Sequence, residues 1–119
     1  MVTSRPRQRF SDIVQYIDDI RSFCQDVGRE AFGADKEKTY AVQLALLRIS
    51  GAARKLGEIA PTLEPDILWK EVRDLGSVIR HDYDQIKESM TWEIVQNDLQ
   101  PLREACLRAL RHPDLQGSD

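Results

Sequence analysis

With 119 residues, 41% of them hydrophobic and 31% charged, the chain is long enough for one modest core and too apolar to stay disordered. A formal charge of −3 gives no overall field that would draw in nucleic acid, so any RNA contact must be local or shared with a partner. No apolar run approaches the ~20 residues that span a bilayer, and MVTSRPRQRF carries arginines without an apolar core. A cytoplasmic protein with no membrane attachment is expected.

Residues 1–9 are polar and arginine-rich and read as a flexible arm. From Ser11, a candidate N-cap, apolar residues recur at Ile13, Val14, Ile17, Ile20, Phe23, Cys24 and Val27, which predicts a helix closed by Gly28. REAFGAD then reads as irregular. Asp35 can cap a second helix running to Leu56, with Tyr40, Val42, Leu44, Leu46, Leu47, Ile49 and Ala53 spread over more than one face. Such a helix is central in a bundle or covered by a second subunit.

Pro61 and Pro65 mark a connection, and Asp66 is expected to start a third helix with Leu68, Val72, Leu75 and Ile79 inward. Residues 84–89 read as a polar joint. A fourth helix from about Ser89 carries Trp92, Val95, Leu99, Leu102, Cys106 and Leu110 inward, and Pro101 should kink or divide it. Residues 112–119 read as a frayed tail. No segment alternates with period two, so the fold class is all-α: an antiparallel bundle of four to five helices, in a single domain over 10–111.

Cys24 and Cys106 fall on apolar stripes and read as buried small hydrophobes rather than a disulfide. His81 and His112 are far apart, and no CxxC, HxxxH, phosphate loop or nucleophile elbow occurs. No metal and no cofactor are expected, and any chemistry rests on His, Arg and Tyr. Arg73, Ser77, Arg80, His81 and Asp84 share one face of the third helix, opposite its apolar stripe, with Tyr83 at the rim. Periodicity alone is equally served by a solvated face. A histidine among arginines, however, joins a proton carrier to phosphate-binding groups. Gly51 and Gly76 stand in mid-helix, which suggests either close helix approach or the absence of a functional side chain.

The runs WKEVRDLGSVIRHDY and TWEIVQNDLQPL, with ISGAARKL in the second helix, resemble the HepT-like proteins of the HEPN superfamily over roughly residues 10 to 111. The resemblance implies an all-helical homodimer paired with a minimal nucleotidyltransferase in a bacterial toxin–antitoxin module. It also implies a metal-independent endoribonuclease site in the dimer cleft and a tyrosine to which the partner enzyme adds AMP. The family motif sets an arginine about four to six residues before a histidine, then one residue and a tyrosine.

His81 and Tyr83 match that motif. The family's Arg-Asn pair falls on Gly76-Ser77, and a commonly found glutamate falls on Gly51. Arg73 lies about 12 Å before His81 along a helix, and Arg80 is adjacent to it. One branch of the family reads similarly, with glycine-asparagine before an arginine–histidine pair. The resemblance thus implies His81 as acid–base, Arg80 or Arg73 on the phosphate, Ser77 and Asp84 as accessory cleft residues, and Tyr83 as AMP acceptor. Two expectations follow: a ribonuclease toxin acting on RNA, or a catalytically degenerate dimer that docks a nucleotidyltransferase and offers Tyr83. Set apart from the resemblance, the residues also allow a helical adaptor whose polar stripe is solvated surface.

Overall fold

Helix α1 (Pro6–Cys24) begins ahead of the expected cap at Ser11, because Pro6 occupies its first turn, where a fixed φ helps and a missing N–H costs nothing. The Arg7 guanidinium donates to the Leu110 carbonyl at 2.9 Å, so residues 6–9 of the expected arm are helical and tied to the far end of the chain. The computed structural model describes residues 4–81 and 88–116. Phe10, Ile13, Ile17 and Ile20 form a stripe with no exposed surface. After Cys24 the left-handed residue is Asp26, at φ 60°, rather than Gly28; aspartate tolerates that conformation better than most residues. Gly28 instead precedes α2 (Arg29–Ala34), so the segment expected to be irregular is mostly helical. What fixes it is Phe32, fully buried and 5.4 Å from the Trp92 ring.

Helix α3 (Lys36–Leu56) starts as its sequence predicts, with the Asp35 carboxylate accepting from the Lys38 N–H at 3.0 Å. Val42, Leu46, Ile49, Ala53 and Leu56 are buried, while Tyr40 and Leu44 are 65% and 51% exposed. The helix packs against α1 on one side and α5 on the other, and keeps an apolar outward face. Gly57, at φ 54°, ends it in a conformation that favours glycine. Pro61 then lies inside a short helix, α4 (Ile59–Leu63), rather than in a plain connection.

Helix α5 (Trp69–His81) begins later than Asp66. Leu68, expected inward, is 67% exposed, and Trp69 takes the buried position. Its indole N–H donates to the Glu64 carbonyl at 2.8 Å, and its ring meets the Phe10 ring edge-on at 6.4 Å. The last long run divides at Asp98 into α6 (Glu88–Asn97) and α7 (Leu99–Leu110). Pro101 falls in the first turn of α7, where its ring is harmless. Pro113–Leu115 form a 3₁₀ turn with Leu115 4% exposed, so this part of the expected frayed tail is docked.

Among the described residues there are seven α-helices and no strand. The two short ones, α2 and α4, are the elements read as loops from the sequence. Asp18 of α1 pairs with Arg103 of α7 at 2.8 Å, and Glu64 with Arg108 at 2.7 Å. The Asp18–Arg103 and Arg7–Leu110 contacts run α1 and α7 antiparallel, and Glu64 ties the end of α4 to α7. No helix among the described residues is long and apolar enough to cross a membrane.

Both cysteines are free. Cys106 has no exposed surface, and burial pushes its thiol from the ordinary 9.0 up to about 12. A raised folded-state value means this contribution to stability is complete below about pH 9 and is lost as pH rises towards 12. Alkylation of the native protein near neutral pH should therefore label the half-buried Cys24 ahead of Cys106, and the melting temperature should fall above pH 9. Peptide mass mapping that found Cys106 labelled first would contradict this packing. At Gly51 an added Cβ meets nothing within 4 Å, so Gly51→Ala should raise stability by about 0.5–1 kcal/mol, read as a higher urea midpoint.

Candidate functional site

The site is built where α5 crosses α3. Ser50 of α3, 1% exposed, sends its hydroxyl into the backbone of α5. It donates to the Arg73 carbonyl at 2.6 Å and accepts from the Gly76 N–H at 3.0 Å. A side chain reaching another helix's backbone in this way requires close approach, which the lack of a side chain at Gly76 allows. The two mid-helix glycines therefore have different roles. Gly76 is buried in the seam, whereas Gly51 faces open space.

One turn along α3, Arg54 reaches the same stretch of α5. Its Nε donates to the Arg73 carbonyl at 3.1 Å and one terminal nitrogen donates to Ser77 Oγ, also at 3.1 Å. Both acceptors are neutral, and no carboxylate forms an ion pair with Arg54 among the described residues. Its charge is fixed in direction but not cancelled. Arg73 likewise forms no ion pair among the described residues and is half-buried. The neighbouring Asp74 carboxyl is held below the usual range, first by its hydrogen bond from Lys70 and further by the positive field that includes Arg54 and Arg73.

The structure thus brings Arg73 and Ser77 together, as the shared face predicts, but as one wall of a seam with α3 rather than a wholly solvated face. Arg80 and His81 are the last two residues of α5. His81 stands one turn beyond Ser77, about 6 Å along the axis. Tyr83 and Asp84, expected as AMP acceptor and accessory residue, lie outside the described residues.

Ser50 and Arg54 were not singled out as site residues by the sequence reading. The available signal was a serine and an arginine one turn apart in ISGAARKL. Among the described residues no group of His, Cys, Asp or Glu side chains could hold a metal ion. A groove of about 490 Å³ lies on the opposite face of α5, between Leu68, Leu75 and Val78 on one side and Met90 and Ile94 on the other. It is apolar and does not include the seam.

A seam that fixes an uncancelled arginine one turn before a histidine, in an all-helical bundle, fits the resemblance drawn from sequence. The family model described as Ribonuclease HepT-like matches residues 13–109. The chain belongs to the HepT-like family. Among curated proteins, the HepT-like chain is 29% identical over 92 residues to a "Putative RNase" of Methanocaldococcus jannaschii, covering 77% of this chain and 84% of that protein. It is 28% identical over 92 residues to a "Probable ribonuclease HepT" of Thermococcus cleftensis, with the same coverage. A further "Putative RNase" of M. jannaschii is 29% identical over 112 residues, covering 91% of this chain and 88% of its own length. No solved structure matches the chain at a significant level.

In this HepT-like chain the seam depends on one hydroxyl. Ser50→Ala removes both bonds to α5 and should destabilise the protein by about 1–3 kcal/mol. Ser50→Thr, which keeps the hydroxyl but adds a methyl, should recover part of that loss. A denaturant midpoint unmoved by Ser50→Ala would show that the hydroxyl does not hold the two helices.

Proposed function

We propose that this protein is a metal-independent endoribonuclease, the toxin component of a toxin–antitoxin module, acting in the cleft of a homodimer. The observation that carries the reading is the Arg54–Ser77 hydrogen bond. It supports a guanidinium held close to the position of His81, the role that the substitution of Gly76-Ser77 for the family's Arg-Asn leaves open on α5.

In this reading His81 takes the proton of an RNA 2′-hydroxyl, and the oxygen so freed attacks the adjacent phosphorus. The bond from phosphorus to the 5′-oxygen breaks, and a proton returns to that leaving oxygen. The products are a 2′,3′-cyclic phosphate and a 5′-hydroxyl, so no external reagent is consumed in this step. Arg54, with Arg73 or Arg80, stabilises the charge that grows on the phosphoryl oxygens. Ser77 acts through Arg54 as a positioning residue. The exposed Tyr40 and Leu44 on the outward face of α3 support a symmetric interface built from two copies of the same patch, which would set two arginine seams beside one cleft.

A second reading is favoured by the same Gly76-Ser77 pair. Without an arginine at the family's position on α5, the dimer serves as binding partner of a minimal nucleotidyltransferase and offers Tyr83 for AMP transfer. One experiment separates the two: cleavage of a defined RNA in EDTA by the purified, unmodified, dimeric protein. His81→Ala should lower cleavage by about 10²–10⁴-fold, and Arg54→Ala by about 10²–10³-fold. Equal and negligible cleavage by the folded wild type and by His81→Ala would rule out the ribonuclease. A mass gain in multiples of AMP on Tyr83 would then support the second reading.

A further inference from the structure

The geometry points to a second anion site, on the other side of α3 from the seam: a recess that holds one backbone phosphate of a bound RNA strand. The recess has a volume of about 260 Å³ and lies between α1 and α3, lined by Arg9, Asp12 and Tyr16 of α1 and by Arg48, Gly51 and Lys55 of α3. Three cations face a single carboxylate. Asp12 is already engaged, accepting from Arg9 at 3.2 Å and from the Gln8 amide at 2.7 Å. Neither Arg48 nor Lys55 forms an ion pair among the described residues, and both are exposed.

Two further observations mark the recess as more than a solvated charge cluster. The first is its floor, where a Cβ placed on Gly51 meets nothing within 4 Å. Glycine therefore keeps empty a space that nearly any other side chain would enter. The second is the Arg9 Nε, shut away from solvent without a hydrogen-bond partner, an unusual state for a donor. Tyr16 completes the same lining. Compact, tetrahedral and rich in acceptors, a phosphodiester suits such a set of donors.

The placement also matches the seam. Consecutive residues on a helix point about 100° apart. Ser50 and Arg54 address α5, while Gly51 and Lys55, their next neighbours, line the recess towards α1. A strand crossing the Arg48–Lys55 end of α3, beyond the Tyr40 and Leu44 patch, would meet the seam on one side and the recess on the other. The recess would bind a phosphate not cleaved at His81, and this inference rests on RNA as the ligand of the proposed function.

The test uses a short 2′-O-methyl RNA, which lacks the attacking hydroxyl and so stays intact. Its binding is followed by fluorescence anisotropy over a series of salt concentrations, and circular dichroism confirms that each variant is folded. The wild type should bind with a salt-dependent affinity. Arg48→Gln combined with Lys55→Gln should make the slope of log K against log salt shallower by about 0.7, the loss of one phosphate contact on a single strand. Gly51→Glu, which sets a carboxylate into the recess, should weaken binding in the same direction. A wild type that binds while both variants keep its slope and affinity would overturn the recess and leave the RNA reading intact. Failure of the wild type to bind at all would sink both. If inorganic phosphate shifts the recess amides while RNA binding ignores the variants, the site takes free anions, and the proposal fails.

Discussion

The Ser50 hydroxyl is the constraint on which the arrangement of the site depends. It is buried, and it donates and accepts at once between α3 and the backbone of α5. A buried hydroxyl without partners would be costly, and one with both roles filled fixes the approach and rotation of two helices. Arg54 can then reach Ser77, one turn before the position of His81. The apolar core provides most of the driving force for folding, but leucines and isoleucines tolerate small sliding more readily than a two-sided hydrogen bond does.

Charge is handled locally. Arg103 and Arg108 are paired with Asp18 and Glu64, so they hold helices together. Arg54, Arg73, Arg48 and Lys55 have no such carboxylate partner among the described residues. An acidic protein can thus keep a basic face, because its net charge says little about where the unpaired cations lie. The acidic residues beside those cations are themselves engaged: Asp74 with Lys70, and Asp12 with Arg9.

Much of the bundle was legible from periodicity. The Asp35 cap, the end of α3 at Leu56, the break near Pro101 and the buried Cys106 all follow from local chemistry. The departures have physical causes that single positions do not reveal. Leu68 and Trp69 are adjacent apolar residues, and only the Glu64 carbonyl, brought near by α4, decides that the indole goes inward. REAFGAD looks irregular because it is short and Gly33 dilutes the pattern, yet one phenylalanine finding Trp92 is enough to fold it. The site was half visible. His81, Arg73 and Ser77 share a face in the sequence, but the partners of that face come from another helix and depend on packing. Gly51 and Gly76 look alike in sequence and differ only in what lies across from them.

Because the seam and the recess sit on opposite flanks of one helix, α3 behaves as a phase element. Its length could change by whole turns at either end with modest effect on what it presents at its middle. A single residue inserted or removed between Ser50 and Arg54 would turn the arginine by about 100° relative to the serine. Arg54 would leave α5, and the lysine beside it would leave α1, in the same step. The two flanks are therefore locked together by the pitch of the α-helix, and variation in this segment is expected to proceed by substitution and not by insertion or deletion.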